Sequence, residues 1–115
     1  ILDPHIKVDN WYPIYYKSKN NYFVKNEDGT DFIGNCWSGD SSFLDFFNKE
    51  TINFWKNLII KEEDYFYPGI NNIHIWNDMN EPSVFKISRN TLPKNTIIKY
   101  NTSFYFNQKF LYRKS

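Results

Sequence analysis

The sequence predicts an α/β fold in the strand, loop, helix, strand order of one unit of a parallel sheet. Ile52, Trp55, Leu58 and Ile59 recur at helical spacing within residues 48–61. Ile73 and Ile75 alternate around His74 in a run over residues 70–76, the pattern of a short strand. An apolar stretch over residues 1–8, with Pro4 near its start, reads as the end of another strand.

The elements between these arise from local chemistry. After residue 8 the chain is expected to run as a loop carrying Trp11, Tyr12, Tyr15 and Tyr16, aromatics that read better as packing than as a ligand cleft. Tyr22-Phe23-Val24-Lys25 is prone to β-structure, and Asn26-Glu27-Asp28-Gly29 is a cluster of turn formers. Asp31-Phe32-Ile33-Gly34 then pairs back as a hairpin. Residues 34–45 read as an irregular loop centred on Cys36-Trp37-Ser38-Gly39-Asp40. Asn48 is a sound N-cap and Glu50 suits the first turn of the helix. Pro68-Gly69 interrupts regular structure beyond the helix, and the last strand ends at Trp76-Asn77-Asp78.

Composition excludes several function classes. At 115 residues the chain supports one small domain, and 14 Lys+Arg against 13 Asp+Glu leave no basic stripe for nucleic acid or an anionic membrane. No apolar run approaches the roughly 20 residues of a membrane span, and the first residues lack a signal-peptide pattern. One cysteine and two histidines offer neither a disulfide framework nor a metal-ligand cluster. Cys36 reads as an inert buried or loop thiol, and His74 as a core or interface histidine.

The run Trp76-Asn77-Asp78-Met79-Asn80-Glu81-Pro82-Ser83-Val84-Phe85 gathers two carboxylates, two amides and an indole where a strand ends. Ligands of open α/β sheets and of barrels bind at that end of the strands. A carboxylate beside a flat indole suits sugar chemistry, since the indole offers its face to a pyranose and the carboxylate can attack an anomeric carbon. On pattern alone, Asp78 or Asn80 capping the next helix with Trp76 in the core is the simpler reading.

The same run resembles the nucleophile signature of glycoside hydrolase family 31, in the form carried by its glucose-trimming members. Ile1-Leu2-Asp3-Pro4-His5-Ile6-Lys7-Val8-Asp9 resembles the family segment that closes the preceding barrel strand. Gly34 through Trp37, Gly39, Asp45-Phe46 and Phe54-Trp55 fall in the family's order between the two. The resemblance implies a partial (β/α)8 TIM barrel, about two strands plus connecting loop and helix. It places a catalytic barrel segment in residues 1–99 and leaves residues 100–115 as an unmatched tail, mis-spliced or read-through in origin.

Residue by residue, the resemblance implies Asp78 as the catalytic nucleophile of a retaining α-glucosidase. It implies Trp76, Met79, Trp37 and Ile1 as walls of the glucose pocket. Asp3, His5, Asn80 and Glu81 are expected to orient pocket and turn. It implies no cofactor and no metal. The substrate it implies is an α-glucoside or glucosylated N-glycan, in the lumen of the endoplasmic reticulum, with a noncatalytic β subunit as partner of the full-length protein. Ser38, Lys49, Arg89 and Ile98 depart from the family pattern. The acid/base and the remaining sugar-binding residues of the family belong to later strands, so this chain alone is expected to hydrolyse nothing. Two rival readings from other classes are a noncatalytic, aromatic-rich carbohydrate-binding module and an inactive degenerate gene product.

Overall fold

A computed structural model describes residues 1–60, 76–100 and 104–107. Strand β1 (His5–Lys7) is followed by helix α1 (Pro13–Ser18), strands β2 (Gly34–Cys36) and β3 (Gly39–Phe43), helix α2 (Lys49–Ile60), and strands β4 (Ile97–Tyr100) and β5 (Phe104–Asn107). β3 is the centre of an antiparallel sheet ordered β1-β3-β2, and β4 pairs antiparallel with β5. The one parallel contact among the described residues is the bridge between Leu2 and Asn77. Helices beside open, unclosed sheets are the arrangement of an incomplete (β/α)8 barrel. The predicted strand over 70–76 lies outside the described residues except for its end at Trp76.

Helix α2 forms where the apolar period and the caps agree. Asn48 Oδ1 accepts from the Glu50 amide at 3.0 Å, satisfying one of the donors that a helix start leaves over. The Tyr22 strand also pairs as expected: the Phe32 amide donates to the Val24 carbonyl at 2.9 Å, and Lys25 opposes Asp31.

Two segments expected as loops are ordered. Residues 34–45 are not irregular: β2 and β3 form a hairpin in which Cys36 opposes Gly39, leaving Trp37 and Ser38 as the turn. Gly39 has φ +86°, a left-handed value that glycine adopts without a side-chain penalty. The strand Gly-Asp-Ser-Ser-Phe lacks apolar alternation because it is held by ladders on both sides, with fully buried serines Ser41 and Ser42. The stretch carrying Tyr15 and Tyr16 is helix α1, started by Pro13, whose fixed φ suits a first helical turn.

Two apolar clusters hold these pieces together. Val24, Phe32, Cys36, Phe43, Val84, Leu92 and Ile98 form one, so the hairpin, the segment after Asp78 and β4 share a core. Ile6, Phe23 and Leu44 form the other, packed by Tyr12, Tyr15, Tyr22 and Trp55. Each fully buried side chain of this size contributes roughly 1.5–3 kcal/mol. A buried carboxylate adds a polar tie: Asp45, 3% exposed, accepts from the Phe47 amide at 3.1 Å and the Lys99 amide at 2.5 Å. Among the described residues no helix is long and apolar enough to cross a membrane.

Candidate functional site

The two segments expected to form a site meet at the parallel bridge. The Leu2 amide donates to the Trp76 carbonyl at 2.8 Å, and the Asp78 amide donates to the Leu2 carbonyl at 3.0 Å. Ile1 and Asp3 flank Leu2, so both stand beside the strand end that carries Trp76 and Asp78. The third segment arrives through the β2–β3 turn. Trp37 Nε1 donates to Met79 Sδ at 3.0 Å, and its ring meets Phe85 edge-on with centroids 4.9 Å apart. Ile1, Trp37, Trp76, Asp78 and Met79 are thus drawn together from three distant stretches of sequence.

The turn after Asp78 is built from its own polar groups. Asp78 Oδ1 accepts from the Met79 amide at 2.8 Å, and Asn80 Nδ2 donates to the Asp78 carbonyl at 3.0 Å. Met79 takes φ 55°, a left-handed value that reverses the chain immediately beyond the carboxylate. The Ser83 hydroxyl donates to Glu81 Oε2 at 2.5 Å and lowers the carboxyl of Glu81 below its ordinary range. Glu81 is therefore tied to the turn it follows, and Asn80 to the backbone of Asp78. These are the contacts of groups that shape a turn.

Most of the residues expected to wall a pocket are exposed. Ile1 is 80% exposed, Trp37 74% and Trp76 63%, and Asp78 is exposed as well. Two exposed indoles and an exposed carboxylate thus sit on the joined segments, offering flat apolar faces and an anionic group to solvent. Asp3 and His5 lie one step deeper. The His5 side chain is 7% exposed with Nε2 3.9 Å from Asp3 Oδ2, and its buried Nδ1 has no protein partner. Burial lowers the His5 pKa, and the nearby Asp3 charge opposes that shift less strongly.

Phe85 is the site component that sequence reasoning passed over. It lies within the same ten-residue run, but only the fold shows it buttressing Trp37 from 48 residues away. Cys36 is buried with Sγ 3.6 Å from the Ser83 carbonyl, and burial pushes its thiol up, consistent with an inert role. Among the described residues no group of three or more His, Cys, Asp or Glu side chains is placed to hold a metal ion.

Residues 1–109 match the family model described as the glycosyl hydrolases family 31 TIM-barrel domain. The chain is 46% identical over 99 residues to human neutral alpha-glucosidase C, covering 84% of this chain and 10% of that protein. It is 46% identical over 86 residues to neutral alpha-glucosidase AB of Dictyostelium discoideum, covering 74% of this chain and 9% of that protein. Among solved structures, the endoplasmic reticulum glucosidase II heterodimer of a catalytic subunit and the binding domain of a regulatory subunit superimposes with TM-score 0.77. Identity there is 43%, over 84% of this chain and 10% of that one. The chain thus spans about a tenth of the length of the relatives it matches.

Proposed function

We propose, from the premise that this chain belongs to glycosyl hydrolase family 31, that it carries the nucleophile of a retaining α-glucosidase. In this reading Asp78 is the nucleophile, and Trp76, Trp37, Met79 and Ile1 wall the glucose pocket. The observation that carries it is the meeting of Ile1–Asp3, Trp37 and Trp76–Met79 at one strand end, through the Leu2–Asn77 bridge and the Trp37–Met79 contact.

The chemistry is set by that assignment. The ionised Asp78 carboxylate attacks the anomeric carbon as the glycosidic bond breaks, and a covalent glycosyl-enzyme forms with inverted configuration. Water then displaces the carboxylate with a second inversion, so net configuration is retained. The leaving oxygen takes its proton from a second carboxyl about 5 Å away, the spacing of retaining enzymes. That acid/base comes from a later barrel strand, outside residues 1–115. By itself this chain therefore turns over no glucoside.

Asn80 and Glu81 fix the turn that aims Asp78, while Asp3 and His5 support the floor beneath Ile1. The whole protein's substrate is a glucosylated N-glycan in the lumen of the endoplasmic reticulum, and its partner is a noncatalytic regulatory subunit. Support for these last points is the likeness to the glucosidase II heterodimer.

The test uses the complete protein. Proton NMR of the first product formed from an aryl α-glucoside should show α-glucose ahead of mutarotation, and Asp78→Asn should abolish its release. Initial release of β-glucose, or an active Asp78→Asn variant, contradicts the assignment.

A further inference from the structure

A cleft of about 520 Å3 is lined by His5, Lys7, Asp9, Trp11, Tyr12 and Ser38 together with Pro13. Its most prominent group is Trp11, 94% exposed. An indole this bare on a folded surface is unusual for a residue that otherwise buries most of its area. Its backbone is tied into a turn. Asp9 Oδ1 accepts from the Trp11 amide at 2.9 Å, the Tyr12 amide donates to the Asp9 carbonyl at 3.0 Å, and Pro13 starts helix α1 directly afterwards. The indole is therefore carried on a closed backbone turn, which fixes the place on the surface from which it projects.

The remaining lining groups select the ligand's chemistry. Lys7 supplies donors and Asp9 acceptors, and Ser38, whose hydroxyl donates to Ser41 Oγ at 2.8 Å, keeps an acceptor lone pair. One cationic and one anionic side chain balance, and the buried His5 imidazole is held below the ordinary histidine value, so it adds no charge at neutral pH. A flat apolar face ringed by mixed donors and acceptors without net charge matches a neutral pyranose, whose ring C–H groups and hydroxyls are both presented. Position points the same way. Ser38 directly follows Trp37 in the β2–β3 turn, and His5 Nε2 lies 3.9 Å from Asp3 Oδ2, so two of the cleft's lining residues belong to the segments proposed to wall the glucose pocket.

We infer that the Trp11 cleft binds a neutral hexose unit of the same oligosaccharide whose terminal glucose enters the Asp78 pocket. Trp11 is the stacking platform, and Lys7, Asp9 and Ser38 are the hydroxyl partners. The inference rests on the α-glucosidase reading for the identity of the ligand, and on the cleft alone for the place where it binds.

The test is a titration of the full chain with maltotetraose, a neutral α-glucan, following the indole N–H resonances. Tetragalacturonate serves as the anionic counterpart. The expected result is saturable binding of maltotetraose that shifts the Trp11 resonance and weakens about tenfold or more in Trp11→Ala. Trp11→Tyr should retain most of the affinity because a stacking face remains, and Asp78→Asn should retain binding at the cleft. With Trp11 so exposed, Trp11→Ala should unfold at the parent's urea midpoint, which separates lost stacking from lost folding. Maltotetraose bound as tightly by Trp11→Ala as by the parent, no saturable binding at all, or a preference for tetragalacturonate would each overturn the inference. Binding lost in Asp78→Asn but unchanged in Trp11→Ala would overturn it too, while leaving the nucleophile assignment standing.

Discussion

A methyl group placed on Gly34 has nowhere to go. A Cβ there would lie 2.6 Å from Val84 Cγ1 and 3.0 Å and 3.1 Å from two ring carbons of Phe32. Comfortable carbon contacts begin near roughly 3.5 Å. Neither neighbour can easily withdraw, because Val84 is 0% exposed and Phe32 only 8%. The backbone around Val84 is fixed as well: its amide donates to the Asn90 carbonyl at 3.0 Å, and the Phe85 amide donates to the Asn35 carbonyl at 2.7 Å. Overpacking of this kind costs about 1–3 kcal/mol. Gly34→Ala should therefore lower the unfolding free energy by that amount, moving the urea midpoint down without changing the slope, since the surface exposed on unfolding is the same. The displacement also reaches the candidate site, because Phe85 follows Val84 and supports Trp37. The Trp37 indole N–H resonance should move in the folded state. A loss under about 0.5 kcal/mol, within the range of ordinary surface substitutions, together with an unmoved resonance would refute this reasoning.

Other substitutions test the ties around that core. Asp45→Ala removes the acceptor of two backbone donors, each costing about 1–3 kcal/mol when left buried and unpaired, and amide exchange at Phe47 and Lys99 should accelerate. Burial, outweighing the hydrogen bonds from Lys99 and Phe47, raises the Asp45 carboxyl above 3.8 in the fold. Protonation at this site thus favours folding: its contribution is complete below the unfolded carboxyl's pKa and is lost as pH rises through the folded one. The stability gap between parent and Asp45→Ala, measured by urea titration at several pH values, should accordingly widen as pH falls through that window. Asn48→Ala deletes the cap of α2 and should cost about 0.5–2 kcal/mol. Asn48→Ser, which keeps a side-chain oxygen, should recover most of that loss in the same urea experiment.

Legibility in the sequence tracks the strength of local signals. Helix α2 is readable because period, cap and first-turn charge all agree over residues 48–60, and the Asn48–Glu50 contact sets its start. Helix α1 escapes because six residues hide the helical period, leaving Pro13 as its only strong marker. The β2–β3 hairpin escapes for a different reason: β3 buries serines, so the alternation that betrays a strand is missing, and the ladders on both sides supply what side chains do not. At the site, the Trp76–Phe85 run is legible because its chemistry is contiguous. The approach of Ile1 and Trp37 depends on strand pairing between segments more than thirty residues apart, which no local pattern encodes. Trp11 and Tyr12 divide the expectation that the aromatics pack: Tyr12 packs on the Ile6 cluster, whereas Trp11 stands in solvent.

The most direct test of the central claim is covalent trapping at Asp78 in the complete protein. An α-glucosyl fluoride carrying a second, ring-deactivating fluorine loses fluoride readily, so the first step needs little help from the acid, while the second step is slowed. Digestion and mass spectrometry should place a fluoroglucosyl ester on Asp78, within the peptide Trp76-Asn77-Asp78-Met79-Asn80-Glu81, and no adduct should form in Asp78→Asn. An ester on any other carboxylate, in a protein that still releases α-glucose, would contradict the account.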